Sequence, residues 1–268
     1  MRRSVAVMGT AAAAAVGFWV LSRRGAWARW RQRLAEEVGP GAMPGELGSR
    51  VNSWLNQQLY LQVAAELDLQ PDDELLDVAC GAGAFLAEHA AHVRHVAGLD
   101  LTQAKVALAR RRLADRIAAG TVEVVQGDAG ALPWEDGRFS VVTTMDAIGW
   151  FPDPARAVAE MHRVLRPGGR AVLQIGFRAA GEMADTHKAM GGAVTNLGEA
   201  DIRRMTEAAG FSDVSILYRR TAGDWRIYDR ILEALGFEEM RLVRAVRPAA
   251  IVPAAAPATD IPALVGSA

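Results

Sequence analysis

The sequence holds a single cysteine, Cys80, and only two lysines, Lys105 and Lys188. One thiol cannot form a disulfide within the chain and excludes a multi-thiolate zinc site, so no metal is expected. Positive charge is therefore almost wholly arginine, and it is unevenly spread. Residues 1–33 carry seven arginines and no acid, which leaves 23 basic against 31 acidic residues in the remainder, a balance of −8. So acidic a body is a poor partner for a nucleic-acid backbone, where clustered cations supply most of the affinity, and no nucleic acid is expected. The chain also lacks internal repeats. Its 268 residues give room for one α/β domain with short extensions, and 51% hydrophobic against 23% charged residues excludes global disorder.

The N-terminal charge frames an uncharged run, Ser4 to Ser22. As a helix it would be ~28 Å long, close to the ~30 Å hydrocarbon core. Three readings compete: a cleaved signal peptide, a membrane anchor, and a peripheral helix or tail. The anchor fits best, with arginines at both ends and Trp19, Trp27 and Trp30 where interfacial aromatics sit. Two arginines precede the run and five follow it, which puts the body on the cytoplasmic side. Residues 1–38 are thus expected to be an anchor helix with a basic juxtamembrane stretch. Residues 39–247 are read as the main domain, and alanine- and proline-rich residues 248–268 as a disordered tail.

Within the main domain, helical spacing runs from Ser49 to about Leu67. After Pro71, short apolar runs alternate with helical ones: Glu74–Ala79, Gly83–His92, His95–Leu99, Gln103–Ala118, Val122–Gln126, Phe139–Thr143, Ala155–Leu165 and Arg170–Ile175. A helix over Glu199–Ala209, strands over Val214–Tyr218 and Met240–Val246, and a helix over Trp225–Leu235 complete the reading. Such alternation predicts a doubly wound α/β fold, a mostly parallel seven-stranded Rossmann-like sheet with both faces covered.

The central feature is Leu75-Leu76-Asp77-Val78-Ala79-Cys80-Gly81-Ala82-Gly83, a buried strand running into a tight turn that opens a helix. Gly81 and Gly83 allow the turn and let a ligand approach the backbone. The next strand ends at Asp100, whose carboxylate can accept two hydrogen bonds from a ribose diol. A dinucleotide site would want a third glycine where Leu86 stands, which argues against an NAD(P)-binding oxidoreductase, the alternative enzyme class.

Further along come Gln126-Gly127-Asp128-Ala129 with Leu132-Pro133, then Met145-Asp146, Phe151-Pro152-Asp153-Pro154, and Val164-Leu165-Arg166-Pro167-Gly168-Gly169-Arg170. With this ordered set, the chain resembles the class I S-adenosylmethionine-dependent methyltransferases, in the group of ubiquinone and menaquinone methyltransferases. The resemblance implies S-adenosylmethionine as cofactor. It places Asp77, Ala79, Gly81 and Gly83 at the methionine end, Asp100 on the ribose, Leu101 on the adenine, Asp128 and Ala129 at the adenine edge, and Met145 near the sulfonium. Ala79 stands where the family usually has glycine, a departure that a negative φ would make tolerable. The family often carries a histidine pair before the phenylalanine-proline of the loop after the fourth strand; Gly149 and Trp150 stand there instead.

Methyl transfer needs a base only when the nucleophile must lose a proton. Asp146 and His187 are the catalytic candidates, and Trp150 the substrate contact. His89, His92 and His95 are read as packing or surface residues, and His162 as a solvated one. Asn52, Asn56 and Tyr60, in the helix before the sheet, could close over the cofactor or cap the domain. Cys80 has no basic neighbour to activate it and is read as a small residue in a crowded loop. The expected acceptor is small and lipophilic; a non-catalytic cofactor-binding partner subunit is the remaining alternative.

Overall fold

The computed structural model describes residues 57, 59–178, 197–219 and 237–249. The anchor segment, the segment that contains His187, the Trp225–Leu235 stretch and the tail from residue 250 lie outside the described residues. Among the described residues no helix is long and apolar enough to cross a membrane, so the fold lends no support to an N-terminal hydrophobic helix.

The first described element is helix α1, residues 59–67. Strand β1 (Glu74–Val78) leads to α2 (Ala84–His89), β2 (His95–Asp100), α3 (Gln103–Arg112), α4 (Ala114–Ala118) and β3 (Val122–Gln126). Then come β4 (Phe139–Met145), α5 (Pro154–Val164), β5 (Leu165–Arg178), α6 (Glu199–Ala208), β6 (Ser212–Arg219) and β7 (Phe237–Val246). The expected Gln103–Ala118 helix is two helices, because the chain turns at Leu113 to bury that side chain. The expected Gly83–His92 helix starts one residue later and stops at His89.

The seven strands form one sheet in the order β3-β2-β1-β4-β5-β7-β6. β1 to β5 pair in parallel, and β7 runs antiparallel between β5 and β6. The strands read as nearly unbroken apolar runs because each face is covered. On one face α1, α2 and α3 bury Leu59, Val63, Leu67, Phe85, Leu86, Val106 and Ala109 against Leu75, Val96, Val141 and Val172. On the other, α5 and α6 bury Ala157, Val158, Met161, Val164 and Ile202 against Leu76, Val142, Leu173 and Val243. From β1 the chain winds outward through β2 to β3, then crosses back to β4 on the other side of β1. That reversal opens a crevice at the carboxyl ends of β1 and β4, the place where open α/β sheets take ligands.

α5 begins on Pro154, whose fixed φ suits a first helical position, and Asp153 caps it by accepting from the Arg156 amide at 3.0 Å. Its last carbonyls are met by Arg247, which donates to the His162 and Arg163 oxygens. The segment Leu165–Arg170 is structural, as expected: Leu165 pairs with Phe139, and pairing resumes at Arg170 opposite Val141.

The amino-terminal edge of the sheet is fastened by Arg170. Its guanidinium donates to the Leu67 and Asp68 carbonyls at the end of α1 and to both oxygens of Asp73. Asp73 is 1% exposed. Burial pushes its carboxyl up, but Arg170 and hydrogen bonds from Ser140 and Gln70 outweigh burial and hold it below the ordinary carboxylate range. That stabilisation is present above the ordinary range and fades as pH falls through the lowered value. Replacing Arg170→Met should cost about 3 kcal/mol in urea denaturation at neutral pH, since it strands a buried carboxylate. Acid unfolding should begin at a higher pH than in the parent protein; an unchanged acid midpoint would count against this role.

Candidate cofactor and acceptor site

The chain leaves β1 and enters α2 through three left-handed residues, Ala79 (φ 64°), Gly81 (φ 57°) and Gly83 (φ 71°). The negative φ that would suit alanine at residue 79 is thus absent. An L-residue with a side chain is strained in this region by about 1–2 kcal/mol. The Cys80 amide donates to the Leu99 carbonyl at 2.9 Å, carrying the β1–β2 pairing past the strand end and fixing the turn. Gly83 sits where a Cβ would lie 3.0 Å from the Ala109 Cβ, so α2 and α3 meet over bare backbone. At Gly81 a Cβ would meet nothing within 4 Å, which leaves the turn's outer surface open to a ligand.

Leu86 occupies the position of the third dinucleotide glycine. It is fully buried, and a Cβ on Gly98 of β2 would lie 2.5 Å from its Cδ1. The close approach of helix and strand is made here by a glycine in the strand, with a leucine in the helix.

Asp100, at the end of β2, accepts from the Gly81 amide through Oδ2 and from the Thr102 amide through Oδ1, both at 2.9 Å. Each oxygen keeps a further lone pair. The side chain is 5% exposed and ties the glycine turn to β2. Leu101, next to it, is 66% exposed, an unusual position for a leucine and one a flat apolar group would cover. On the β3 side, Asp128 accepts from the Gly130 amide at 2.9 Å, and Ala129 is buried.

Asp77 is different in kind. It is 1% exposed, and its Oδ1 is buried without a hydrogen-bond partner. Burial pushes its carboxyl well above the ordinary range, and the charge of Asp100 pushes it further. Neighbouring Cys80 is raised by burial and then by Asp77 and Asp100, which disfavours the reactive thiolate.

Past β4, Met145 is half-buried, and Asp146 is exposed with φ 51°. The Asp146 amide donates to the Gln174 carbonyl at 3.2 Å, joining the ends of β4 and β5. Trp150 closes a short 3-10 turn, Ile148–Trp150, and is half-buried. The structure therefore gathers Asp77, Ala79, Gly81, Gly83, Asp100, Leu101, Met145, Asp146 and Trp150 around the carboxyl ends of β1, β2 and β4, with Asp128 and Ala129 past β3. His187 lies outside the described residues.

The other histidines stand elsewhere. His89 packs on Phe85 at 4.5 Å, and burial, helped by His92, lowers its pKa to about 4. His162, expected to be solvated, packs edge-on to Phe211 at 4.9 Å, and its Nε2 is buried. The reason is Gly210, whose bare backbone lets the ring in: a Cβ there would lie 3.0 Å from the His162 Cε1. Tyr60 meets Phe85 edge-on at 5.7 Å. Sequence reasoning passed over Gln174, whose signal was a lone carboxamide inside the apolar run Ala171–Gly176.

Comparison with known proteins agrees with this geometry. Residues 76–173 match the family model described as a methyltransferase domain. The ubiquinone/menaquinone biosynthesis C-methyltransferase UbiE of Methylobacterium nodulans is 46% identical over 99 residues, covering 36% of this chain and 39% of that protein. The phthiotriol/phenolphthiotriol dimycocerosates methyltransferase of Mycobacterium tuberculosis is 36% identical over 136 residues, covering 50% and 48%. The chain thus spans less than half the length of these two relatives. The fold is shared with the phosphoethanolamine N-methyltransferase 2 of Haemonchus contortus, solved with S-adenosyl-L-methionine (TM-score 0.63, 15% identity, 81% of this chain and 60% of that one). It is shared also with the geranyl diphosphate C-methyltransferase of Streptomyces coelicolor (TM-score 0.58, 16% identity, 71% and 76%).

Over residues 76–173 the chain carries a methyltransferase domain. The cofactor expected from the sequence is S-adenosylmethionine. The residues present fit that group: Asp77 offers a buried carboxylate oxygen that lacks a donor, and Gly81 an open backbone surface.

The unpartnered Asp77 yields a two-sided prediction. A carboxyl raised by folding stabilises the folded chain at low pH, and that contribution is lost as pH rises through the raised value. Asp77→Asn should therefore raise the melting temperature of the ligand-free protein at neutral pH and weaken S-adenosylhomocysteine at least about tenfold. A variant that melts lower and binds equally well would contradict the assignment.

Proposed function

We propose that this chain transfers the methyl group of S-adenosylmethionine to a small acceptor with a largely apolar body. The observation that carries the reading is the buried, partnerless Asp77 oxygen in the crevice between β1 and β4, beside an Asp100 already oriented by two backbone amides. In this reading Asp77 takes the ammonium of the cofactor, and Asp100 takes the ribose hydroxyls through its remaining lone pairs. Leu101 covers the adenine, and Asp128 and the Ala129 amide meet its polar edge. Ala79, Gly81 and Gly83 line the methionine end, and Met145 lies by the sulfonium.

The cofactor supplies a methyl group already activated by a positively charged sulfur. What remains for the chain is to align the acceptor and keep water out, and alignment of this kind can account for ~7–11 kcal/mol of a barrier. Asp146, and His187 as a second candidate, would receive a proton from an acceptor that must lose one. Trp150 and the half-buried Phe151 would form an apolar wall on the acceptor side. The two named relatives concern quinone biosynthesis and dimycocerosates, and that supports a lipophilic acceptor here.

The same preference gives the N-terminal segment a purpose. Residues 1–38 would hold the domain of residues 39–247 at the cytoplasmic face of a membrane, and residues 248–268 would form a tail. Deleting residues 1–38 should then move the protein from the membrane to the soluble fraction with its cofactor affinity intact. Full-length protein that is already soluble would contradict the tether.

The activity is tested by following tritium from labelled S-adenosylmethionine into a lipid extract. Transfer is expected from the parent protein. Asp100→Ala should lower cofactor affinity by roughly two orders of magnitude, as the loss of two charge-assisted hydrogen bonds implies. Absence of transfer by protein that binds S-adenosylhomocysteine would leave it a cofactor-binding partner and refute the proposal.

A further inference from the structure

Gln174 is a buried carboxamide in the middle of β5. The residue is 2% exposed, and its Oε1 is buried without a hydrogen-bond partner. Its register places it. Gln174 pairs with Met145 of β4 on one side and Leu242 of β7 on the other. Leu173 and Ile175 pack into the core under α5 and α6, while Val172, Leu242 and Met145 pack into the core under α1 to α3. Side chains alternate along a strand, so Gln174 lies on the α1 face. Leu76 and Val78 belong to the α5 face, so Asp77 shares the α1 face with Gln174.

Two buried strand oxygens without donors therefore lie on one face near the carboxyl end of the sheet, and a third such oxygen, Gln62 Oε1, belongs to the helix α1 that covers this face. Asp77 is on β1 and Gln174 two strands away on β5, roughly 10 Å across the sheet, with Met145 on the strand between. Thr144 also has a buried hydroxyl without a partner, but by the same alternation it lies on the opposite face. The backbone carbonyl of Gln174 is taken by the Asp146 amide, which fixes the residue against the end of β4.

A buried carbonyl oxygen among apolar side chains destabilises the fold until a donor reaches it. Asp77 meets its donor in the cofactor. We infer that Gln174 is the acceptor's positioning residue: its carboxamide oxygen accepts a hydrogen bond from a hydroxyl or amine on the molecule to be methylated. The inference rests on the methyltransferase reading and deepens it, since it limits the acceptor to an apolar body bearing an O–H or N–H. Gln174 holds that heteroatom in place and takes no proton from it.

The probes are 4-octylphenol, which can donate, and its methyl ether 4-octylanisole, which cannot. Each is titrated into the full chain saturated with S-adenosylhomocysteine. The phenol should bind about tenfold or more tightly than the ether, as expected of a site built around a hydroxyl. In Gln174→Met, an apolar replacement of similar length, that preference should vanish while S-adenosylhomocysteine affinity stays unchanged. The ligand-free variant should melt no lower than the parent, because no internal hydrogen bond is lost. Equal binding of the two probes to the parent protein, binding of neither, a preference that survives in the variant, or a lowered melting temperature would overturn the inference. Failure of S-adenosylhomocysteine itself to bind would instead overturn the reading on which it rests.

Discussion

Two carboxylates that repel each other are held in adjoining strand ends, and much of the described structure follows from keeping them there. Asp77 pairs in register with Gly98 on β2, and Asp100 ends that same strand. Asp100 is oriented by two amides, one of them from the glycine turn that Asp77 leads into. The turn runs through three left-handed residues, and one is an alanine that would be easier to place as glycine. The parallel sheet, buried on both faces, removes the water that would otherwise screen the two charges.

The opposite edge of the sheet shows the contrast. Asp73 immediately precedes β1 and Asp77 lies near the far end of that strand, and each is 1% exposed. Asp73 has Arg170, Ser140 and the Gln70 amide around it and is held below the ordinary carboxylate range. Among the described residues Asp77 has no cation paired with it; burial first and then the charge of Asp100 push it above that range. Only three residues of chain stand between a carboxylate satisfied by the fold and one with an oxygen that lacks a donor. A buried acid that folding leaves unpaired is an expected mark of a functional site.

Much of this was legible in the sequence because it depends on local pattern. The glycine turn, the acids at the ends of β1 and β2, and the strand–helix alternation are all short-range signals, and the β3 bounds of Val122–Gln126 match in full. The misreadings share a cause: each depends on a residue far away in the chain. His162 is drawn in by Gly210 and Phe211, and the 103–118 helix is broken because Leu113 has a core position to fill. The left-handed φ of Ala79 is set by the Cys80 amide reaching Leu99. Gln174 went unnoticed because a polar residue in a strand gains meaning only once its face and neighbours are known.

The central claim is that folding raises the hold of Asp77 on its proton and that the cofactor's ammonium, bound beside it, lowers that hold again. The direct measurement is a calorimetric titration of S-adenosylhomocysteine into the full chain at neutral pH, repeated in buffers of different ionisation enthalpy. The account predicts binding with release of a proton, seen as an enthalpy that changes from buffer to buffer. Binding heats that are the same in every buffer, or no binding at all, would contradict it.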